Sequence, residues 1–209
     1  MPRVLEKVER RLGEKLYIKG ERCLGPKCAL NRKPFAPGQH GNKKKRRGAA
    51  SEFSEQLAEK QKVRYLYGLS EKEAQSYFAK AIAKPGTTSE HFMSLVERRL
   101  DNVVFRAGFT IARSVARHLV SHGHVLVNGR AVTAPSYLVH IGDVIGIKES
   151  RLGMPVFIDL ATRLGGHQAP AWIEMNKEKK QAKIMAYPSQ DDMTAVSGNL
   201  RKVIEYYLR

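Results

Sequence analysis

The sequence is short of cysteine, of tryptophan and of long apolar runs, and each shortage closes off a class of protein. Two cysteines in 209 residues, Cys23 and Cys28, cannot build the disulfide framework of a small secreted domain. Residues 1–11 carry a charge every few positions and no apolar centre, unlike a secretory leader. The expected location is the cytoplasm or an equivalent reducing compartment, where both cysteines stay thiols. No apolar stretch approaches the ~18 residues of a membrane helix, and no lone basic amphipathic anchor is present, so no membrane partner is expected. Catalytic signatures are missing as well: there is no G-x-G-x-x-G, Walker loop, G-x-S-x-G or H-E-x-x-H. The acidic residues are interspersed with lysines, as on solvated helix faces.

What is abundant is positive charge. The chain has 37 Lys or Arg against 20 Asp or Glu, a net +17. Residues 1–50 hold 15 basic and 4 acidic side chains, so +11 of that excess lies in the first quarter. Such a chain repels itself and calls for a polyanionic partner. Nucleic acid fits best, because phosphates accept many Lys and Arg contacts at once. The run Lys43, Lys44, Lys45, Arg46, Arg47 has no apolar residue and reads as an extended arm that neutralises phosphates. A surface merely kept soluble by charge does not require such concentration at one end.

The pattern along the chain predicts an α+β fold. A helix is expected from Arg3 to Leu12, stopped by Gly13, then a brief extended piece over "LYIKG". Pro26, Pro34 and Pro37 with Gly25, Gly38 and Gly41 keep the next stretch irregular. Ser51 to Tyr67 reads as a helix with Phe53, Leu57, Val63 and Leu66 inward, and Ser70 with Glu73 as a capping box for the next. A further helix is expected from Ser89 through Val104. In "TIARSVARHLVSHG" Thr110 is the expected cap and Ile111, Val115, Leu119 and Val120 the buried face. Asn128-Gly129 between β-rich runs marks a hairpin, and "DVIGI", "PVFI", "AWIEM" and "AKIMAY" read as strands. Trp172 is a packing anchor, and a final helix over Leu200 to Leu208 is capped by Asn199.

Arg113 and Arg117 lie four apart and project from one side of their helix. With Arg98, Arg99, Arg106 and Arg130 they offer planar donor forks suited to phosphate and to stacking on bases. His118, His122 and His124 straddle the end of the same helix; without a nearby carboxylate or thiol they are expected to stack on or donate to RNA rather than bind metal. Asn128 and Gly129 let the backbone approach a ligand closely. Spacing alone leaves open a helix pair whose arginines point to water.

A resemblance narrows the choice. "ERRLDNVVFRAGF" and "ARSVARHLVSHGHVLVNGRAVTAPSYLVHIGDVI", within residues 97–145, resemble the RNA-binding module named after the ribosomal protein S4 family. "LYIKGERC" and "PGQHG" resemble that family's N-terminal lobe, "LAEKQKVRYLYG" its first long helix, "PAWIEMN" a late strand and "VIEYYLR" its C-terminus. The likeness runs end to end. It implies a primary binder of small-subunit (16S-type) ribosomal RNA, acting early in assembly of the subunit body. It also implies a place near the path by which mRNA enters, beside the small-subunit protein S5, with a contribution to translational accuracy. Four segments are expected: a basic irregular lobe and arm (1–50), a helical domain (51–97), the RNA-binding module (98–150), and C-terminal strands and helix packing back on the helical domain (151–209).

Zinc-bearing members of the family carry a second C-x-x-C pair, which alignment of "RRLG" and "LYIKGERC" sets on Glu6 and Glu9. Four ligands are the rule for structural zinc, so Cys23 and Cys28 read as a remnant packing as small apolar residues. Glu6, Glu9 and His40 are the only candidates to complete a site; alternatively Arg10 and Arg11 pair with the two glutamates. No cofactor and no enzymatic activity are expected. The alternatives are an RNA-modifying enzyme and a stress RNA-binding protein built on the same module. The first needs a catalytic domain, and only 62 residues follow Ile147 in the 209-residue chain.

Overall fold

The computed structural model describes residues 6–42, 51–189 and 199–209. They form two compact units: residues 6–91 with 199–209, and residues 92–189. Among the described residues no helix is long and apolar enough to cross a membrane.

The first unit is helical. α1 (Lys7–Leu12) ends at Gly13, whose left-handed φ of 77° lets its amide donate to the Glu9 carbonyl; the expected start at Arg3 lies outside the described residues. "LYIKG" is not extended: Tyr17 takes φ 53° and the chain runs into a 3-10 turn at Gly20–Cys23. The cause is Glu9, whose carboxylate accepts from the amides of Leu16 and Ile18 at 3.0 and 3.3 Å. α2 (Ala29–Arg32) is a single turn. α3 (Glu52–Leu66) starts at the Ser51 cap, and α4 (Glu71–Ile82) carries the expected capping box, with Ser70 and Glu73 each accepting the other's amide. α9 (Leu200–Leu208), capped by Asn199, packs along α3. The buried side of α3 is polar: Gln56 donates to Glu205 at 3.3 Å, and Lys60 stands 4.3 Å over the Tyr206 ring while pairing with Glu71 at 2.7 Å. Phe53, expected inward, is 48% exposed.

The helix expected from Ser89 to Val104 is two, α5 (Thr88–Glu97) and α6 (Leu100–Arg106). Arg99 between them is extended (φ −64°, ψ 138°), because it bridges Leu138 while the Leu100 amide donates to the Tyr137 carbonyl at 2.8 Å. α7 (Arg113–Ser121) begins later than expected. Ala112 is its cap residue, and Thr110 instead turns its hydroxyl to the Ala112 carbonyl at 3.3 Å. Ile111 therefore precedes the helix and is 39% exposed, whereas Ala116, Leu119 and Val120 are buried.

β1 (Val125–Val127) and β2 (Arg130–Ala131) form the expected hairpin, with Asn128 and Gly129 at φ 51° and 79°. Both central residues of that turn need positive φ, which Asn and Gly tolerate best. β3 (Val144–Ile147), β4 (Ile173–Asn176) and β5 (Gln181–Ile184) complete an antiparallel sheet in the order β2-β1-β3-β5-β4. "PVFI" is a 3-10 turn at Pro155–Phe157 followed by α8 (Leu160–Gly166). Pro155 has no amide to give a ladder, and of these residues only Phe157 is buried. One face of the sheet sends Val125, Val127, Ile145, Ile147, Ile173 and Ile184 into a core shared with Leu100, Leu119, Leu164 and Trp172. The C-terminal segment divides: β5 covers the edge of β3 and stays with the module's sheet, while α9 belongs to the helical unit. An edge strand left bare exposes unpaired amides and carbonyls.

Candidate nucleic-acid interface

The expected site residues of the second unit fall into two groups. The first is a buried charge network. Glu97, ending α5, accepts from Arg106 at 2.6 and 3.0 Å and from the Asn102 side-chain amide at 2.6 Å. The Asn102 carbonyl oxygen accepts from Arg113 at 2.8 Å, and that guanidinium lies 4.5 Å over the Phe105 ring. Asp101 accepts from Arg99 at 2.7 and 3.0 Å and lies 3.6 Å from Arg117. The Asn102 backbone amide donates to Asp101 at 2.9 Å and joins the two halves. Arg99 is 0% exposed and reaches no ligand; Arg106 is spent on its fork to Glu97. Arg113 and Arg117 sit half-buried at the rim. Among the described residues, two carboxylates face four guanidiniums in this cluster.

The second group surrounds the hairpin and the end of α7. Asn128 is fastened rather than free: its side chain donates to Asp143 at 2.8 Å and accepts the Val144 amide at 2.9 Å. What the turn presents is Gly129 and exposed Arg130. His118, His122 and His124 form a row, with ring centroids 6.4 and 6.0 Å apart and planes tilted by 15° and 23°. The register pairs Val125 with Ile147, and the Lys148 amide donates to the His124 carbonyl at 2.9 Å. Val125 and Ile147 face the core, so alternation sends His124 and Lys148 to the other face. Arg151 follows in the 3-10 turn Glu149–Arg151. Burial pushes the His124 imidazole below its ordinary value, and the positive charges of Arg151, His122 and Lys148 push it the same way. Among the described residues no carboxylate pairs with His118, His122, His124, Lys148 or Arg151. Lys148 and Arg151 were not among the expected site residues. Their signal was present but depended on knowing which residue of "DVIGIK" pairs with which of "HVLV".

Lys43 to Arg47 lie outside the described residues. In the lobe Cys23 and Cys28 are buried, and of the expected partners Glu9 reaches Cys23. The Glu9 carboxylate is wholly buried and taken by two backbone amides; the Cys23 sulfur lies 3.9 Å from both its oxygens. Glu6 pairs with Arg22 at 3.1 Å, not with Arg10 or Arg11. Arg10 instead donates to the carbonyls of Lys33 and Phe35 at 2.9 and 3.0 Å. Burial pushes the Cys23 thiol up, against the Lys19 backbone and with the Glu9 charge. His40 is exposed. Among the described residues no three His, Cys, Asp or Glu side chains are grouped to hold a metal ion.

This helix pair and hairpin form an RNA-binding module: residues 98–145 match the S4 domain. Residues 5–97 match the ribosomal protein S4/S9 N-terminal domain. The chain belongs to the ribosomal protein S4 family, whose members are structural proteins and not enzymes. It is 45% identical over 201 residues to the small ribosomal subunit protein uS4 of Halothermothrix orenii, spanning 96% of this chain and 94% of the relative. The uS4 protein of Thermus thermophilus is 44% identical over 200 residues, again 96% and 94%. That of Acetivibrio thermocellus is 46% identical over 184 residues, 88% of this chain and 87% of the relative.

Proposed function

We propose that this chain is a non-catalytic constituent of the small ribosomal subunit in the cytoplasm, binding small-subunit rRNA directly. The observation that carries the reading is the set of cations around the hairpin and the end of α7 that no carboxylate of the described residues neutralises. A polyanion is the partner such a surface favours. Arg130, His122, His124, Lys148 and Arg151 meet the RNA, with Arg113 and Arg117 at the rim. Arg99 and Arg106 act from inside, by holding α5, α6 and α7 together. Asn128 shapes the turn that presents Arg130. Lys43, Lys44, Lys45, Arg46 and Arg47 neutralise phosphates and add affinity without reading sequence. In the assembled particle the chain acts early in building the subunit body, lies beside protein S5 and near the path by which mRNA enters, and contributes to translational accuracy.

The test is affinity for small-subunit rRNA and for an unrelated duplex, measured against salt. Replacing Lys43–Arg47 by glutamine is expected to weaken both and to flatten the salt dependence by about 0.7–0.9 log units for each phosphate no longer neutralised. Preference for the ribosomal RNA should persist in that variant. The reading fails if the wild-type chain prefers neither RNA, or if it washes off small subunits at moderate salt.

A further inference from the structure

The histidine row does more than a fixed charge would. We propose that His118, His122 and His124, with Lys148 and Arg151, form a phosphate-binding patch that takes up protons as RNA binds, so that affinity rises as the pH falls. The inference rests on the RNA-binding reading above and adds to it a ligand group, the phosphodiester, and a dependence on pH.

Three imidazoles stand within 6.4 Å of their neighbours in the row. That spacing is too close for three full positive charges to sit together without cost, and no metal-holding group of three is present among the described residues. Lys148 is fixed on the same side of the sheet as His124 by the ladder, and Arg151 adds a second permanent cation. Among the described residues Lys148 after β3 and Arg151 in the turn beyond it act on His124, while Arg117 and Glu149 adjoin His118 and Lys148 in sequence. Arg117 is 3.6 Å from Asp101, and Glu149 makes no ion pair with any of the row. Burial and the same cations already depress His124.

An arriving phosphate reverses this balance. A negative charge within hydrogen-bonding distance favours the imidazolium over the imidazole. Each histidine whose affinity for protons is higher in the complex than in the free protein contributes up to one proton to the binding equilibrium. The bound state carries more protons, so lower pH tightens binding across the window between the free and bound values. A lysine or arginine in the same place would bind phosphate with no such dependence.

The experiment uses the full chain and a small-subunit rRNA transcript, with affinity measured at fixed ionic strength between about pH 6 and pH 8, where unperturbed imidazole titrates. For each proton taken up, binding is expected to tighten up to about tenfold per pH unit. The variant H118Q/H122Q/H124Q is expected to lose that slope. If the triple variant melts early, H118Q/H122Q replaces it, because both side chains are exposed. Calorimetric titration in two buffers of different ionisation enthalpy counts the protons directly on the wild-type protein. A wild type that binds equally at all pH values overturns the proposal and leaves the RNA-binding reading standing. A variant that keeps the wild-type slope overturns it too, by assigning the protons elsewhere. Absence of selective binding at every pH overturns the RNA-binding reading itself.

Discussion

Arg99 and Arg130 look alike in sequence: each is a basic residue beside a short regular element of the same module. In the structure one is sealed against Asp101 and the other stands in solvent at a hairpin. The whole second unit repeats the contrast. Around α5 and α6, Glu97 and Asp101 consume arginines to lock helices together. Around the end of α7, among the described residues, no acid pairs with the histidines, Lys148 or Arg151. Positive charge of one composition thus serves two purposes, and what separates them is whether a carboxylate folds onto the same spot. Helical spacing identifies a side of a helix; it does not identify the partner.

The comparison breaks most visibly at Asp101. Asp101→Ala removes the carboxylate that buried Arg99 holds at 2.7 and 3.0 Å, and breaking such a buried pair costs about 3–5 kcal/mol. Equilibrium denaturation should register that loss, and a cost within the scatter of surface substitutions would mean Arg99 is solvated after all. Next in size is the apolar contrast across the start of α7. Leu119→Ala should cost roughly 2–5 kcal/mol, while exposed Ile111→Ala should stay within about 0.5 kcal/mol. Equal losses would move the start of α7 back to Thr110.

The helical unit sharpens the same distinction by pH. Burial alone would raise the Glu71 carboxyl, but Lys60 and Arg64 outweigh it and hold the group below the usual carboxylate value. A lowered folded value means the contribution is complete above the ordinary value of about 4.3 and fades as the pH falls through the lowered one. Acid unfolding of Glu71→Gln should accordingly be less steep than that of the wild type, and an unchanged acid limb would place the proton elsewhere. The smallest stability effect belongs to the unpaired cations. Arg130→Ala and Lys148→Ala should leave the melting point unchanged within error, with ΔΔG inside about 0.5 kcal/mol. Each should flatten the salt dependence of RNA affinity by about 0.7–0.9 log units for the phosphate it ceases to neutralise. A lowered melting point without a change in salt slope would class them with Arg99.

Elements set by local chemistry were readable in advance. Ser70 and Glu73 make their capping box, Asn128-Gly129 makes its turn, and Asn199 caps the last helix. Elements decided by distant partners were not. The break at Arg99 exists because residues 137–139 supply hydrogen bonds there. "LYIKG" bends because Glu9 takes its amides, and α3 buries Gln56 and Lys60 because α9 brings Glu205 and two tyrosines to meet them. The charged site was half legible for the same reason. The histidines and Arg130 stood out by type, whereas the removal of Arg99 and Arg106 and the addition of Lys148 needed the strand register and the acids. The pairing of Glu6 with Arg22 was likewise a matter of how the lobe coils.

The Asn128 turn gives the module a chemical lifetime as well as a shape. Asparagine before glycine is a bond prone to ageing, since little shields the side-chain amide from its following backbone nitrogen. Here both ends of that amide are occupied, one by Asp143 at 2.8 Å and one by the Val144 amide at 2.9 Å. Hydrolysis to aspartate would set a second carboxylate against Asp143, turning a hydrogen bond into a repulsion across the turn. An aspartate at position 128 would therefore set a repulsion at the very turn that leads from β1 into Arg130 and β2.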